Sequence, residues 1–163
     1  MTEDMSFEPS ARDYFTLLNL VHGYADALDQ GNFDEVGRLF QHADIYMPGS
    51  TAPDVRAGSG LFGKLLQDAV RTYPPGNTPM TRHVTTNHQI HFDGPDDAHM
   101  RSYFTVLQET APRQLQPLIT GIYDDRFRRV EGAWRFVERR EAVTSVGDLS
   151  AHLIEAFTGP TQN

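Results

Sequence analysis

Thr81-Arg82-His83-Val84-Thr85-Thr86-Asn87 places an imidazole and an amide in a stretch that otherwise reads as a half-buried strand. Strand side chains at i, i+2 and i+4 share a face, so His83, Thr85 and Asn87 are expected to look one way and Arg82, Val84 and Thr86 the other. A polar row of that kind lines something reactive, or it faces solvent on an antiparallel sheet. Asp29 is the second chemically odd position. It falls in the last turn of a predicted helix, at the border of the apolar stripe, where the helix C-terminus repels an anion. Tyr24 lies in the same stripe, as a core aromatic or as a hydroxyl aimed at a cavity. Tyr46, on a brief predicted strand, either points toward His83 or packs.

Other chemistries fit the chain less well. Seven histidines invite a metal reading, but alternation along the strand separates His88 from His83 and His91, and the helical two-histidine zinc motif is missing. No metal is expected. Cysteine is absent and no serine sits in a glycine-flanked elbow, which leaves neither thiol chemistry nor a nucleophilic triad. Gly58-Ser59-Gly60 lacks the third glycine, the preceding strand and the following acid of a dinucleotide fingerprint, and reads as a loop and helix cap. General acid–base catalysis without a cofactor remains. It needs a group that titrates near working pH, a partner that fixes its tautomer, and a dry pocket.

The elements that must position these residues are legible. Ser10 and Asp13 form a capping box, and Tyr14, Leu17, Leu18, Val21, Tyr24, Ala25 and Leu28 recur at helical spacing until Gln30-Gly31. Asn32 and Glu35 open a second short helix carried by Phe33, Val36, Leu39 and Phe40. Asp44 to Met47 is a brief strand, and Ser59 is expected to cap a third helix through Val70. The second half changes to alternating segments, 81–92, 98–109, 118–130 and 133–143, separated by turn residues. These predict four antiparallel strands in a meander, with a short helix over 148–155 and a frayed tail over 158–163. Helices first and meander second is an α+β plan, one domain over 1–163 with its core about 10–157.

At 163 residues and 39% hydrophobic, the chain can bury a core without staples. A net charge of -8 opposes nucleic-acid binding, although Arg126, Arg128, Arg129, Arg135, Arg139 and Arg140 cluster locally. The acidic first residues and the lack of a long apolar run predict no leader and no membrane span, hence a cytoplasmic protein.

Taken together, three groups of residues resemble the SnoaL-like branch of the nuclear transport factor two superfamily. They are Tyr24 to Phe33 closing the first helix, Thr81-Arg82-His83 with Asn87, and Ser102 to Val106. The likeness continues through Gly121 to Phe127, Gly132 to Phe136 and Gly147 to Leu153. That branch also contains scytalone dehydratase, bile-acid 7α-dehydratase and hexachlorocyclohexane dehydrochlorinase. The resemblance implies a cone-shaped barrel in which three N-terminal helices pack inside a strongly curved, mainly antiparallel sheet around a cavity. It also implies a homo-oligomer, dimer or trimer. In the dehydratase-type members an aspartate ending the first helix and a histidine on the first long strand form a dyad, which here corresponds to Asp29 and His83. The implied activity is a cofactor-free lyase acting on a small hydrophobic, cyclic or polyketide-derived substrate. An isomerase, a polyketide cyclase or a non-catalytic binding subunit could use the same scaffold. Tyr24 and Tyr46 would polarise a substrate oxygen, Asn87, Ser102 and Tyr123 would line the cavity, and Arg139 or Arg140 would meet an acidic group. A second acid expected on the following strand has no counterpart, since Ser102 and Phe104 stand in that region. His22, His42, His99 and His152 read as surface or structural.

Overall fold

Ser10 Oγ accepts from the Asp13 backbone N–H while the Asp13 carboxylate accepts from the Ser10 backbone, so helix α1 (Ala11–Asp29) starts on a complete capping box. The structure, a computed structural model, describes residues 7–111 and 114–155. The predicted tail over 158–163, the end of the predicted core and the acidic lead lie outside the described residues. Leu17, Val21, Tyr24 and Leu28 form the buried stripe of α1. Gly31, at φ +69°, ends the helix; a Cβ there would stand 2.6 Å from the Asn77 carbonyl oxygen. Asp29 is thereby fixed as the last residue of α1.

Helix α2 (Phe33–Leu39) is capped by the Asn32 side chain, which accepts from the Glu35 N–H. Helix α3 (Leu61–Ala69) crosses it so closely that a Cβ on Gly63 would lie 2.1 Å from the Phe33 carbonyl oxygen. The predicted cap of α3 shifts by one residue. Gly60, at φ +67°, occupies the N-cap and offers no side chain, while Ser59 Oγ accepts from the Leu61 N–H at 3.3 Å.

Strand β1 (Asp44–Tyr46) pairs in parallel with the last strand, and β2 (Thr81–Phe92), β3 (Asp97–Gln108), β4 (Gln116–Val130) and β5 (Ala133–Val146) form the antiparallel meander, in the order β1-β5-β4-β3-β2. Glu131 and Gly132 both have positive φ, the signature of the two-residue hairpin turn that matches strand twist. Register shifts interrupt β2–β3, β3–β4 and β4–β5. Each extra residue bends its strand, and together they curve the sheet around the helices.

One of those shifts decides the chemistry of β5. Phe127 pairs with Phe136 but Arg126 pairs with Glu138, leaving Val137 as the extra residue. Before it Trp134 and Phe136 face the core; after it the odd-numbered Arg139, Glu141 and Val143 turn inward and Arg140 and Ala142 outward. Residues 148–155, expected to be helical, make a single turn instead. Asp148 accepts from the backbone and hydroxyl of Ser150, and Leu153 bridges to Val70 beside α3. Backbone bonds from Arg71 to His152 and from Ile154 to Ala69 tie this segment to the end of α3.

Candidate active site

The Asp29 carboxylate receives three hydrogen bonds. The Thr81 hydroxyl donates at 2.7 Å, the His83 backbone N–H at 2.8 Å, and His83 Nδ1 stands 2.6 Å from Oδ1. α1 delivers the acid at its end, and the first three residues of β2 deliver all three donors. Burial pushes the Asp29 carboxyl up, but the bonds and charge of His83, with the Thr81 hydroxyl, outweigh it and hold the group below the usual carboxylate range. An ionised carboxylate only accepts, so Nδ1 carries a proton, and in the neutral ring it is Nε2 that keeps the lone pair. The unfavourable helix end is thus compensated by donors from the sheet.

His83 lines a cavity of about 250 Å³ between α1, α3 and the sheet, whose wall is otherwise mostly apolar, with Leu28, Leu66, Phe104, Val106, Ile119 and Val143 among its members. That is slightly below the roughly 300–1,000 Å³ of sites for drug-sized ligands, and suits a small one- or two-ring molecule. Tyr24 and Tyr123 also line it. Their rings meet edge to face at 6.0 Å, and Phe104 stacks on Tyr123 at 4.3 Å. Burial raises both phenols, Tyr24 up to about 12, so both hydroxyls stay protonated. The Arg139 guanidinium lies 4.3 Å from the centre of the Tyr24 ring and 4.0 Å from that of Tyr123. A protonated phenol at the wall can donate to a ligand oxygen.

The remaining expected site residues are not brought to this cavity. Ile45 takes the inward face of β1, so Tyr46 lies on the other face, with the Arg140 guanidinium 3.6 Å from its ring centre. Asn87 sits in the β2 bulge at φ +55°, which breaks the alternation that would have aligned it with His83, and it is exposed. Ser102 points inward but is fully buried and its hydroxyl has no partner; Phe104, one inward position along, takes the wall. Arg139 is fully buried behind the tyrosines and held by Asp125 through two 2.7 Å bonds. Burial opposes its charge, but Asp125 more than restores it, raising the guanidinium above its usual value. Arg140 faces out and pairs with Glu138. The basic cluster is largely neutralised, since Arg126, Arg128 and Arg129 also face carboxylates.

Two titratable wall residues were missed by sequence reasoning. Glu141 arrives through the β5 bulge, and His152 through the closing turn after β5. Burial, reinforced by nearby His83, depresses the His152 imidazole to about 4, and its Nδ1 is buried without a partner. The neutral ring binds fewer protons folded than unfolded between pH about 6.5 and 4, so stability present above that window is lost as pH falls through it. Chemical denaturation at pH 7 and pH 4.5 should show wild type losing on the order of 2 kcal/mol more than His152→Leu. Equal losses would mean that the ring is not neutral inside the fold. Among the described residues no group of three or more His, Asp or Glu stands where it could hold a metal. No helix among them is long and apolar enough to cross a membrane.

The uncharacterised Rv2910c of Mycobacterium tuberculosis (strain ATCC 25618 / H37Rv) is 31% identical over 133 residues, covering 79% of this chain and 84% of that one. Among solved structures, a candidate scytalone dehydratase from Novosphingobium aromaticivorans superposes with a TM-score of 0.65 at 22% identity. The match covers 84% of this chain and 87% of the other. A protein of unknown function with a cystatin-like fold from Nostoc punctiforme gives 0.66 at 19% identity, over 85% and 96% of the two chains. At these identities the structural matches speak to the fold, in agreement with the curved sheet and its three helices. The SnoaL-like domain matches residues 9–140, almost all of the helical half and the sheet through Arg140, and the chain belongs to the SnoaL-like family.

Proposed function

We propose that the protein is a cofactor-free lyase that eliminates water across a carbon–carbon bond of a small, uncharged, hydrophobic cyclic substrate, with Asp29 and His83 as its general-base dyad. The observation that carries this reading is the 2.6 Å contact between His83 Nδ1 and an ionised, three-fold hydrogen-bonded Asp29 at the wall of an apolar cavity. His83 Nε2 removes a proton made acidic by a neighbouring carbonyl, and Asp29 holds the tautomer and balances the imidazolium that forms. Tyr24, with Tyr123 and Arg139 behind it, donates to the carbonyl oxygen as negative charge develops there. Among the described residues no arginine or lysine lines the cavity, and Arg139 behind it is bound to Asp125, which favours an uncharged molecule.

SnoaL-like proteins are often enzymes, and an isomerase or cyclase would share the proton-removal step. A binding subunit has no need of an oriented imidazole at the wall. The shared step is directly measurable. Wild-type protein incubated in D₂O with a panel of one- and two-ring ketones is expected to exchange their α-protons well above the buffer rate, followed by NMR. A panel that exchanges no faster than in buffer would retire the catalytic reading in favour of the binding subunit.

A further inference from the structure

Glu141 is the only carboxyl among the described residues that line the cavity, since Asp29 stands behind His83 and is not part of the wall. No hydrogen bond or ion pair holds its side chain among the described residues. An unpaired carboxylate on an apolar wall is costly, whereas the neutral acid is a donor that a ligand can satisfy. Burial pushes the group up, with Arg139 and His83 opposing, and the net direction is toward the protonated form. A glutamate in such a place adds nothing to packing that a glutamine or leucine would not.

We propose that Glu141 is the general acid of this site: its carboxyl, carried into the cavity by the β5 bulge and bound to nothing there, protonates the departing hydroxyl. The proposal rests on the dyad reading and deepens it. His83 Nε2 takes the hydrogen from the carbon beside the carbonyl, and the C–H electron pair passes through the enol to form the C=C bond as the C–O bond breaks. Glu141 supplies its proton to that oxygen, which leaves as water. The enzyme then holds an imidazolium and a carboxylate, and transfer of one proton between them through solvent restores both. Atoms and charge balance without an oxidant or co-reactant.

The other wall groups are poorly suited to this step. Tyr24 and Tyr123 are too weakly acidic to give up a proton readily and are better placed as hydrogen-bond donors. Arg139, behind the wall and not part of it, stays charged in its bond to Asp125. His152 is neutral at pH 7, and a neutral imidazole holds its remaining proton tightly. Hydroxide leaves poorly unless protonated, so a carboxylic acid here also points to an alcohol as the leaving group.

The experiment compares two reactions on one scaffold. The first is α-proton exchange of cyclohexanone in D₂O, which needs the base alone. The second is conversion of 3-hydroxycyclohexanone to 2-cyclohexenone, which needs base and acid, with 3-acetoxycyclohexanone as a control whose leaving group departs without protonation. Glu141→Gln keeps the size and neutrality of the protonated side chain. It is expected to slow water loss by about 100-fold or more beyond any effect it has on exchange and acetate loss. In wild type, water loss but not acetate loss should fall as pH rises through the carboxyl's titration, a comparison that needs no variant. Equal slowing of all three reactions by Glu141→Gln would make Glu141 structural and overturn the proposal, as would matching pH profiles for the two leaving groups. Wild type that exchanges no ketone overturns the dyad reading, and Glu141 as acid falls with it. Exchange that survives while water loss is insensitive to Glu141→Gln overturns the acid alone.

Discussion

Replacing His83 by alanine is expected to slow ketone α-proton exchange by about 100- to 10,000-fold, and replacing Asp29 by asparagine by a comparable factor with the imidazole still in place. Alanine removes the Asp29-oriented nitrogen that takes the proton, so the remaining rate reflects binding and the tyrosine donors. The asparagine variant is the sharper test because of what surrounds the carboxylate. Thr81 Oγ1, the His83 backbone N–H and His83 Nδ1 all direct donors at two oxygens. An amide has one oxygen and one NH₂, so at least one of those donors must face another donor. The backbone N–H cannot turn away. If the amide oxygen keeps it, the NH₂ faces Nδ1 and drives the ring proton to Nε2, which ends its use as a base. The same substitution leaves a buried donor poorly matched, at a cost of about 1–3 kcal/mol. Exchange kinetics with urea denaturation separate the two effects, since the rate loss should persist at temperatures where the variant is fully folded. A folded Asp29→Asn variant that exchanges at the wild-type rate would remove Asp29 from the mechanism.

The positions of Asp29 and His83 were open to a reader of the sequence because each depends on one local rule. A capping box starts α1, a glycine ends it, and a strand with a clear polar–apolar pattern follows three helices. No bulge lies between Thr81 and His83, so alternation holds over the residues that matter. It fails where an extra residue enters. Asn87 is displaced by the β2 bulge. On β5, strict alternation from Trp134 and Phe136 would have turned Glu138 and Arg140 inward, whereas Val137 inverts the phase and sends Arg139 and Glu141 in instead. That inversion explains why Arg139 and Arg140 could not be told apart by pattern, and why a carboxyl of β5 reaches the cavity wall. His152 was hidden for a different reason. Its segment was expected to be helical, and its place on the wall comes from the Leu153 bridge to Val70, a contact between residues far apart in the chain. Tyr46 failed on a smaller scale, because a three-residue strand gives no pattern from which to choose a face.

Arg139→Met is expected to destabilise the fold by about 3–5 kcal/mol, the largest stability effect anticipated for a single substitution here. The guanidinium is fully buried, gives Asp125 two bonds of 2.7 Å, and lies 4.0 to 4.7 Å from the ring centres of Tyr123, Tyr24 and Phe40. Methionine fills part of that space but leaves Asp125, itself buried, without a counter-charge. The protein must then bury an unpaired carboxylate or protonate it, and either outcome costs more than the pair gained by forming. Removing both charges should therefore cost less than removing one. Asp125→Leu with Arg139→Met is expected to regain most of the lost stability in urea denaturation, because an apolar pair inside a cage of aromatic rings leaves no buried charge behind. Recovery of the fold should not bring recovery of the rate. The Arg139 charge, 4.3 Å from the centre of the Tyr24 ring, lowers the cost of negative charge beside it. The double variant is therefore expected to exchange ketone α-protons more slowly than wild type, though by less than the 100- to 1,000-fold typical of losing a donor that touches the developing oxyanion. A double variant as fast as wild type would assign the ion pair to stability alone; one no more stable than Arg139→Met would mean that the rings, not the charge, hold this part of the core.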